Sequence, residues 1–253
     1  MERRVLSEYL DDFLKSAEFD DDSLNGLQVE GRAEVNRLAV AVTACAEVFG
    51  AAAGWKADAL LVHHGLFWRG AWPMRIQNIL KDRLKTLFDA GISLYAYHLP
   101  LDAHGEVGNN AVAARDLGLV NIKPFGHYKG MVIGFKGRLE APAARTEFIA
   151  RVSEYYGRSP AVTVPAGPDP VATVGIVSGG AAREAEEAAD EGLDLFVTGE
   201  PGEPQTYVCR ERGLTFIAMG HYATERIGVK ALAAHLERAH GLETRFFDVD
   251  NDA

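Results

Sequence analysis

Short apolar runs alternate with amphipathic stretches along most of the chain, and this alternation predicts strands separated by helices. The predicted strands cover residues 38–43, 58–65, 92–97, 172–177, 194–198, 214–219 and 244–249. The predicted helices cover residues 4–16, 47–55, 76–90, 109–117, 181–191, 204–212 and 223–239.

The order of strand, helix and strand predicts right-handed βαβ units and therefore mostly parallel sheets. Most of these strand runs have a continuous apolar stretch, which is typical of strands that are buried on both faces. The chain is thus predicted to be an α/β protein.

The middle of the chain departs from this pattern. It predicts a strand over residues 131–139 and a helix over residues 142–156, with Pro142 near the helix start. A segment with three prolines, residues 165–170, is the strongest turn signal in the chain.

The two halves on either side of this middle part resemble each other. Residues 58–64 align with 194–200, and residues 91–102 align with 213–225 when one residue is inserted. Each half therefore ends a strand in a histidine followed four residues later by a carboxylate. We predict two similar α/β lobes, residues 1–125 and 126–253, that share a site in the cleft between them.

Composition and charge exclude several classes of protein. The 253-residue chain has a net charge of −10, which opposes non-specific binding to nucleic-acid phosphates. No apolar stretch approaches the ~20 residues of a membrane span, and the N-terminal segment has no signal-peptide pattern. We therefore expect a cytoplasmic protein. Cys45 and Cys209 lie outside any Cys-x-x-Cys spacing and are predicted to be reduced thiols.

Side chains that bind metals or transfer protons gather where the predicted strands end. They are His63, His64, His98, Asp102, Glu200, His221 and Glu225. The carboxyl ends of parallel strands form the usual functional crevice of an open sheet. Imidazoles and carboxylates without cysteine favour Zn²⁺, Mn²⁺, Fe²⁺, Co²⁺ or Ni²⁺ in an open site rather than a structural zinc site. Two such ions side by side can activate water for hydrolysis.

The adjacent histidines give the sharpest signal. Successive strand residues point to opposite faces, so His63 and His64 can serve one centre only where the strand breaks, and Gly65 allows such a break. His221 and Glu225 are one helical turn apart and would share a helix face.

Three features leave alternatives open. Ser178-Gly179-Gly180 precedes a predicted helix and fits either a phosphate-binding nest or a tight strand-to-helix turn. Glu200 is a candidate ligand, general base or helix cap. Trp68 fits either a pocket wall or the core.

Because Pro100 opposes an ordinary helix, Asp102 is predicted on a loop.

Four motifs together resemble one known family. They are Asn25-Gly26-Leu27-Gln28-Val29-Glu30-Gly31, Val62-His63-His64-Gly65, His98-Leu99-Pro100-Leu101-Asp102 and Gly220-His221-Tyr222-Ala223-Thr224-Glu225. With these motifs the whole chain resembles the GTP cyclohydrolase 1 type 2 homologue family, also called NIF-three-like. The resemblance is to its short bacterial form, because the chain has no room for the extra domain that larger members carry in the middle.

The resemblance implies a dinuclear metal site between two α/β lobes. Metal ligation is implied for His63, His64, Asp102, His221 and Glu225, with Glu225 as a candidate bridge between two divalent ions. His98 is implied to lie beside the site, and we expect His98 and Glu200 to act as catalytic residues that transfer protons. A homohexamer is also implied, although nothing in composition or periodicity indicates it.

The expected function is metal-dependent hydrolysis of a nucleotide or a related phosphorylated small molecule, and degradation of damaged nucleotides is one such role. A metal-binding regulatory protein or metal chaperone without turnover is the alternative. Nucleic-acid binding through the pore of a ring is a third hypothesis, which the acidic net charge disfavours.

Overall fold

A computed structural model describes residues 1–71, 74–249 and 251 of the chain. Its helices are α1 (Arg3–Leu14), α2 (Ala46–Gly54), α3 (Asn78–Ala90), α4 (Leu99–Asp102), α5 (Asn109–Asp116), α6 (Arg145–Tyr156), α7 (Ala185–Asp190), α8 (Glu203–Arg212) and α9 (His221–His240). Its strands are β1 (Gly26–Val29), β2 (Arg37–Thr43), β3 (Ala59–His64), β4 (Ser93–Ala96), β5 (Leu119–Tyr128), β6 (Met131–Ala143), β7 (Val162–Pro165), β8 (Val171–Ile176), β9 (Leu195–Thr198), β10 (Thr215–Ala218) and β11 (Glu243–Phe246). Within the described part of the chain, no helix is both long enough and apolar enough to cross a membrane.

The chain divides into two compact units. The first unit contains Met1–Leu101 and the segment that begins at Gly228 and includes β11, and the second contains Asp102–Ile227. The sequence alone placed a single boundary after residue 125. The structure differs because β11 pairs in parallel with β2 and so joins the first sheet, while α5 packs against β5 and β6 of the second sheet.

The first unit is built on a sheet in the order β1-β4-β3-β2-β11. Its pairs are parallel except that β1 runs antiparallel to β4. Leu60 and Leu94 on the strands, with Phe49 of α2 and Leu87 of α3, belong to one buried apolar cluster. Burial of such a cluster is the main term that stabilises the unit.

The second unit is built on a sheet in the order β5-β6-β8-β9-β10-β7. Strands β8, β9 and β10 are parallel, but the other three pairs are antiparallel. The α/β class predicted from the sequence is confirmed, whereas this sheet is more antiparallel than predicted. The reason is the long β5–β6 hairpin, which Lys129 and Gly130 close with positive φ angles of 49° and 79°.

Four strands in each sheet follow the same order, β1-β4-β3-β2 in the first and β7-β10-β9-β8 in the second. An aspartate occupies the same place in both. Asp58 Oδ2 accepts the backbone N–H groups of Asn36 and Arg37 at 3.0 Å, and Asp194 Oδ2 accepts those of Ala172 and Thr173 at 2.8 Å. This shared hydrogen-bond pattern agrees with the similarity of the two halves in sequence.

We predict that Asp58→Asn lowers the free energy of unfolding by about 1–2 kcal/mol at pH 7, because a charged hydrogen-bond acceptor becomes neutral. Burial alone would raise the pKa of Asp58, but the N–H groups of Asn36 and Arg37 and the Arg32 guanidinium outweigh it and lower the pKa. The stabilisation is therefore present above the unfolded pKa of about 4 and is lost as pH falls through the folded pKa.

Urea unfolding of wild type and Asp58→Asn between pH 3 and 7 measures this effect. Asp82→Asn is the matched control, since Asp82 lies exposed on α3, where it pairs with the exposed Lys81 at 3.6 Å. A deficit of Asp58→Asn that stays the same down to pH 3 would contradict the assignment.

Candidate metal centre

The first unit brings three of the predicted site residues together at the carboxyl ends of β3 and β4. One ring nitrogen from each of His63, His64 and His98 lies within 4.8 Å of the others. The ring centroids of His63 and His64 are 4.8 Å apart, and those of His63 and His98 are 5.0 Å apart. We name these residues the histidine cluster.

Hydrogen bonds fix the orientation of the two adjacent rings. Nδ1 of the fully buried His63 donates to the carbonyl oxygen of Tyr97 at 3.0 Å. Because a carbonyl only accepts, the proton is on Nδ1, and Nε2 keeps the lone pair that a metal requires. Nδ1 of His64 is 3.0 Å from the hydroxyl of Thr43 on the neighbouring strand β2.

His98 is held by a buried aspartate that the sequence analysis did not single out. Asp21, only 3% exposed, accepts His98 Nδ1–H at 2.9 Å and the Asn25 amide at 3.0 Å. Burial alone would raise the pKa of Asp21, but the hydrogen bond and charge of His98 and the N–H donors outweigh it and hold the pKa well below its usual range. Asp21 is therefore a fixed negative charge behind the His98 ring.

The second unit brings the remaining site residues together. Helix α9 begins at His221, so His221 and Glu225 lie one turn apart, with Nε2 3.1 Å from Oε1. Glu225 and Asp102 are 2% and 5% exposed, and one carboxylate oxygen of each lies within 4.8 Å of the other. We name Asp102, His221 and Glu225 the carboxylate cluster.

Neutral donors surround the Asp102 carboxylate. Its Oδ1 accepts the Asn109 amide at 2.8 Å and the Ser178 hydroxyl at 3.0 Å. The structure places Asp102 at the end of the one-turn helix α4 rather than on a loop. Pro100 is compatible with this helix because it lies in the first turn, where its missing N–H has no intrahelical partner.

The turn after β8 shapes the space beside Glu225. Gly179 has a φ of +66°, and a Cβ at this position would lie 2.3 Å from Glu225 Oε1. The N–H groups of Ser178 and Gly179 already donate to Asn110 and Thr224, at 2.7 and 3.0 Å. The structure thus favours the tight-turn interpretation of Ser178-Gly179-Gly180 over the phosphate nest.

His221 lies between two carboxylates. Its Nδ1 donates to Glu200 Oε1 at 2.6 Å while its Nε2 faces Glu225. Burial alone would lower the pKa of His221, but Glu225 first and then Glu200 outweigh it and raise the pKa to about 9. The surroundings of His221 therefore strongly favour a positive charge.

The chemistry of these donors fits a divalent metal. The histidine cluster offers imidazole nitrogens, and the carboxylate cluster offers two buried carboxylate groups at close range. Imidazole and carboxylate without thiolate suit Zn²⁺, Mn²⁺, Fe²⁺, Co²⁺ or Ni²⁺. Buried like charges at this separation are unfavourable unless positive charge compensates them.

Sequence reasoning missed the residues that orient the ligands. Asp21, Thr43 and Asn109 have no motif around them, and the Tyr97 group involved is a backbone carbonyl. Asp21 stands in the run Asp20-Asp21-Asp22, which in sequence is typical of an exposed acidic turn. Only the three-dimensional arrangement distinguishes Asp21 from its neighbours.

The fold and the two clusters define an α/β protein with candidate metal ligands at the carboxyl ends of its strands. A family model described as Duf34/NIF3 (NGG1p interacting factor 3) matches residues 1–253. The chain belongs to the DUF34/NIF3 family, and the family resemblance seen in the sequence is confirmed.

Individual relatives cover the chain almost completely. The GTP cyclohydrolase 1 type 2 homolog of Allochromatium vinosum is 44% identical over 250 residues, which are 99% of this chain and 97% of that protein. The structure of TTHA1606 from Thermus thermophilus is 44% identical, with a TM-score of 0.91 and full coverage of both chains. The structure of protein ybgI, of unknown function, is 39% identical with a TM-score of 0.92 and full coverage of both chains.

We predict that Gly179→Ala destabilises the protein more than Gly192→Ala does. Both glycines have positive φ, 66° and 70°, so both substitutions carry the left-handed penalty of about 1 kcal/mol. Of the two, only Gly179 would bring the new Cβ against Glu225, because nothing lies within 4 Å of the position at Gly192.

The free energy of unfolding of the two variants, measured in the same buffer with chelator, makes this comparison. Equal losses would mean that the turn gives way without displacing Glu225 and would contradict the close packing described for this site.

Proposed function

We propose that this protein binds two divalent metal ions through His63, His64, Asp102, His221 and Glu225, with Glu225 as the bridging ligand. The observation that carries the proposal is the pair of donor clusters, three imidazoles in one unit and two buried carboxylates beside His221 in the other. We further propose that the two clusters act together as one dinuclear centre, as the family resemblance implies.

We propose metal-dependent hydrolysis as the reaction. When bound, the ion pair would supply Lewis-acid polarisation of the substrate and activation of water. His98 is suited to proton transfer, because Asp21 holds its Nδ1 and leaves Nε2 for the proton. Glu200 is suited to the same task with Oε2, since its Oε1 is occupied by His221 Nδ1–H.

The substrate class we propose is a nucleotide or a related phosphorylated small molecule, and a role in the degradation of damaged nucleotides follows as one physiological setting. Support comes from the relatives that are called GTP cyclohydrolase 1 type 2 homolog. The homohexamer implied by the resemblance stays a prediction, and light scattering of the purified protein tests it directly.

We predict that wild-type protein loaded with Zn²⁺, Mn²⁺, Fe²⁺, Co²⁺ or Ni²⁺ retains close to two ions per chain after desalting. His64→Ala and Glu225→Gln should each lose at least one ion, because one inner ligand is missing. Elemental analysis gives the stoichiometry. His240→Ala is the matched control, since His240 lies at the end of α9 against Tyr9 and belongs to neither cluster.

Loss of metal in the control to the same extent would mean that folding rather than ligation is measured. Wild-type protein that retains no ion with any of the five metals would overturn the proposed centre.

We predict that the metal-loaded wild type hydrolyses at least one member of a nucleotide panel and that His98→Ala, which keeps its metal, is slower by about 10²-fold or more. Product analysis by chromatography measures turnover. Retention of two ions without turnover on any substrate would instead support the regulatory or metal-chaperone alternative, which transfer of metal to an apo acceptor protein then tests.

A further inference from the structure

A cavity of about 450 Å³ lies in the first unit, and its lining residues come from the chain up to and including β1 and from the segment between β3 and α3. This volume is within the usual range for sites that bind small molecules. Two backbone hydrogen bonds join the two segments, from Leu24 N–H to the Phe67 carbonyl at 2.9 Å and from Arg69 N–H to the Asp22 carbonyl at 2.7 Å. The cavity is therefore bordered by backbone that the fold holds in place.

Apolar and aromatic side chains dominate the lining of this cavity. They are Leu24, Phe67, Trp68, Met74 and Ile76. Leu24 and Ile76 are 55% and 66% exposed, although large apolar side chains lose free energy in contact with water. Exposed apolar residues gathered around a cavity mark a binding surface. Of the two interpretations that the sequence leaves open for Trp68, the structure supports the pocket wall.

Trp68 is shared between the cavity and the histidine cluster. Its Nε1–H donates to the Gly65 carbonyl at 3.1 Å, which fixes the direction of the indole ring. The ring centroid lies 5.1 Å from that of His98 and 6.1 Å from that of His64. A molecule that packs against Trp68 in the cavity is therefore one side chain away from the histidine cluster.

The charges around the cavity are unfavourable for anions. Asp21 and Asp22 both line it, and the hydrogen bond and charge of His98 keep Asp21 ionised. Arg69 is the positively charged residue of the lining, but its guanidinium is paired with Asp20 at 2.5 Å. Among the described lining residues, a bound anion would thus meet two carboxylates and no cation that lacks a carboxylate partner.

Gln28 offers one hydrogen-bond donor in this apolar setting. Its Nε2 donates to the Leu24 carbonyl at 2.7 Å, and its Oε1 accepts the Leu66 N–H at 2.8 Å. These two bonds fix the orientation of the amide, because a carbonyl only accepts and a backbone N–H only donates. A primary amide has two N–H groups, so the second one remains for a bound molecule. Gln28 belongs to the motif 25–31, to which the proposed metal centre gives no role.

We propose that this cavity binds an uncharged aromatic ring system that carries a hydrogen-bond acceptor, with Phe67 and Trp68 packing against the ring and Gln28 donating its second N–H to the acceptor. The inference goes beyond the proposed function, because the charges of the cavity disfavour the phosphate of a nucleotide. It stands whether or not the metal centre hydrolyses a substrate.

Equilibrium dialysis of the full chain against matched ring compounds tests the proposal. Quinoline has a ring nitrogen as acceptor, naphthalene is the same shape without one, and the carboxamide and carboxylate of quinoline at position 6 differ in charge. Chelator is present, so that the ring nitrogen cannot bind a metal ion. We expect quinoline to bind, and the carboxamide to bind about tenfold more tightly than the carboxylate, because the cavity repels anions.

Two variants should change the affinities in different ways. Gln28→Met should weaken quinoline about fivefold, as for a neutral hydrogen bond, and leave naphthalene within about twofold. Ile76→Asp should weaken both by about tenfold or more, because an apolar contact is replaced by a carboxylate. Ile79→Asp is the matched control, since Ile79 is 68% exposed on α3 and lies outside the lining. Melting temperatures show that each variant is folded.

Absence of quinoline binding to wild type, or equal weakening by Ile76→Asp and Ile79→Asp, would overturn the pocket. A carboxylate that binds as tightly as the carboxamide would refute the uncharged class of ligand, and an unchanged quinoline affinity in folded Gln28→Met would refute the assigned donor. Self-association that Ile76→Asp abolishes, without quinoline binding to wild type, would assign the patch to a second copy of the chain instead. Because metal is absent from these measurements, their failure is separate from failure of the proposed function.

Discussion

Two carboxylates lie buried close together in the second unit, and the rest of the site compensates for the repulsion between them. Asp102 and Glu225 are nearly inaccessible, with oxygens within 4.8 Å of each other. Repulsion between like charges grows as water is removed, so such a pair needs donors and positive charge nearby. Asn109 and Ser178 donate to Asp102, and His221 faces Glu225. The missing side chain of Gly179 leaves the space that the Glu225 carboxylate occupies.

In the histidine cluster, each imidazole ring is held in place by a contact to one of its two nitrogens, and the other nitrogen is left to face the site. The Tyr97 carbonyl, the Thr43 hydroxyl and the Asp21 carboxylate all contact Nδ1 of a cluster histidine. Such outer contacts set the tautomer and direction of the remaining nitrogen. The metal binding that we propose therefore also depends on residues that would not ligate the ion themselves.

The sequence predicted the parallel core of each unit well, because the strands there are mostly apolar and alternate with helical stretches. It missed β5, where Asn121, Lys123 and Pro124 are polar or break the pattern and only the hairpin partner β6 fixes the strand. It also started α6 too early, since Pro142 belongs to the end of β6. The place of β11 beside β2 is a long-range pairing that local pattern cannot reveal.

The candidate site likewise contains residues that the local sequence pattern reveals and residues that only the structure reveals. Adjacent histidines at a strand end and a His-x3-carboxylate spacing can be recognised in the sequence, so the candidate metal ligands could be predicted. Asp21 was not predicted, because its significance lies in its burial and in its hydrogen bond to His98. Residues of this kind are recognised only when the environment of each polar side chain is known.

The most direct test is an anomalous diffraction measurement on crystals of the metal-loaded protein, collected on both sides of the absorption edge of the metal. The account predicts two anomalous peaks about 3.5–4 Å apart, ligated by the imidazoles of His63, His64 and His221 and the carboxylates of Asp102 and Glu225, with Glu225 touching both. A map without a peak at these side chains, or with a single ion bound by one cluster alone, would contradict it.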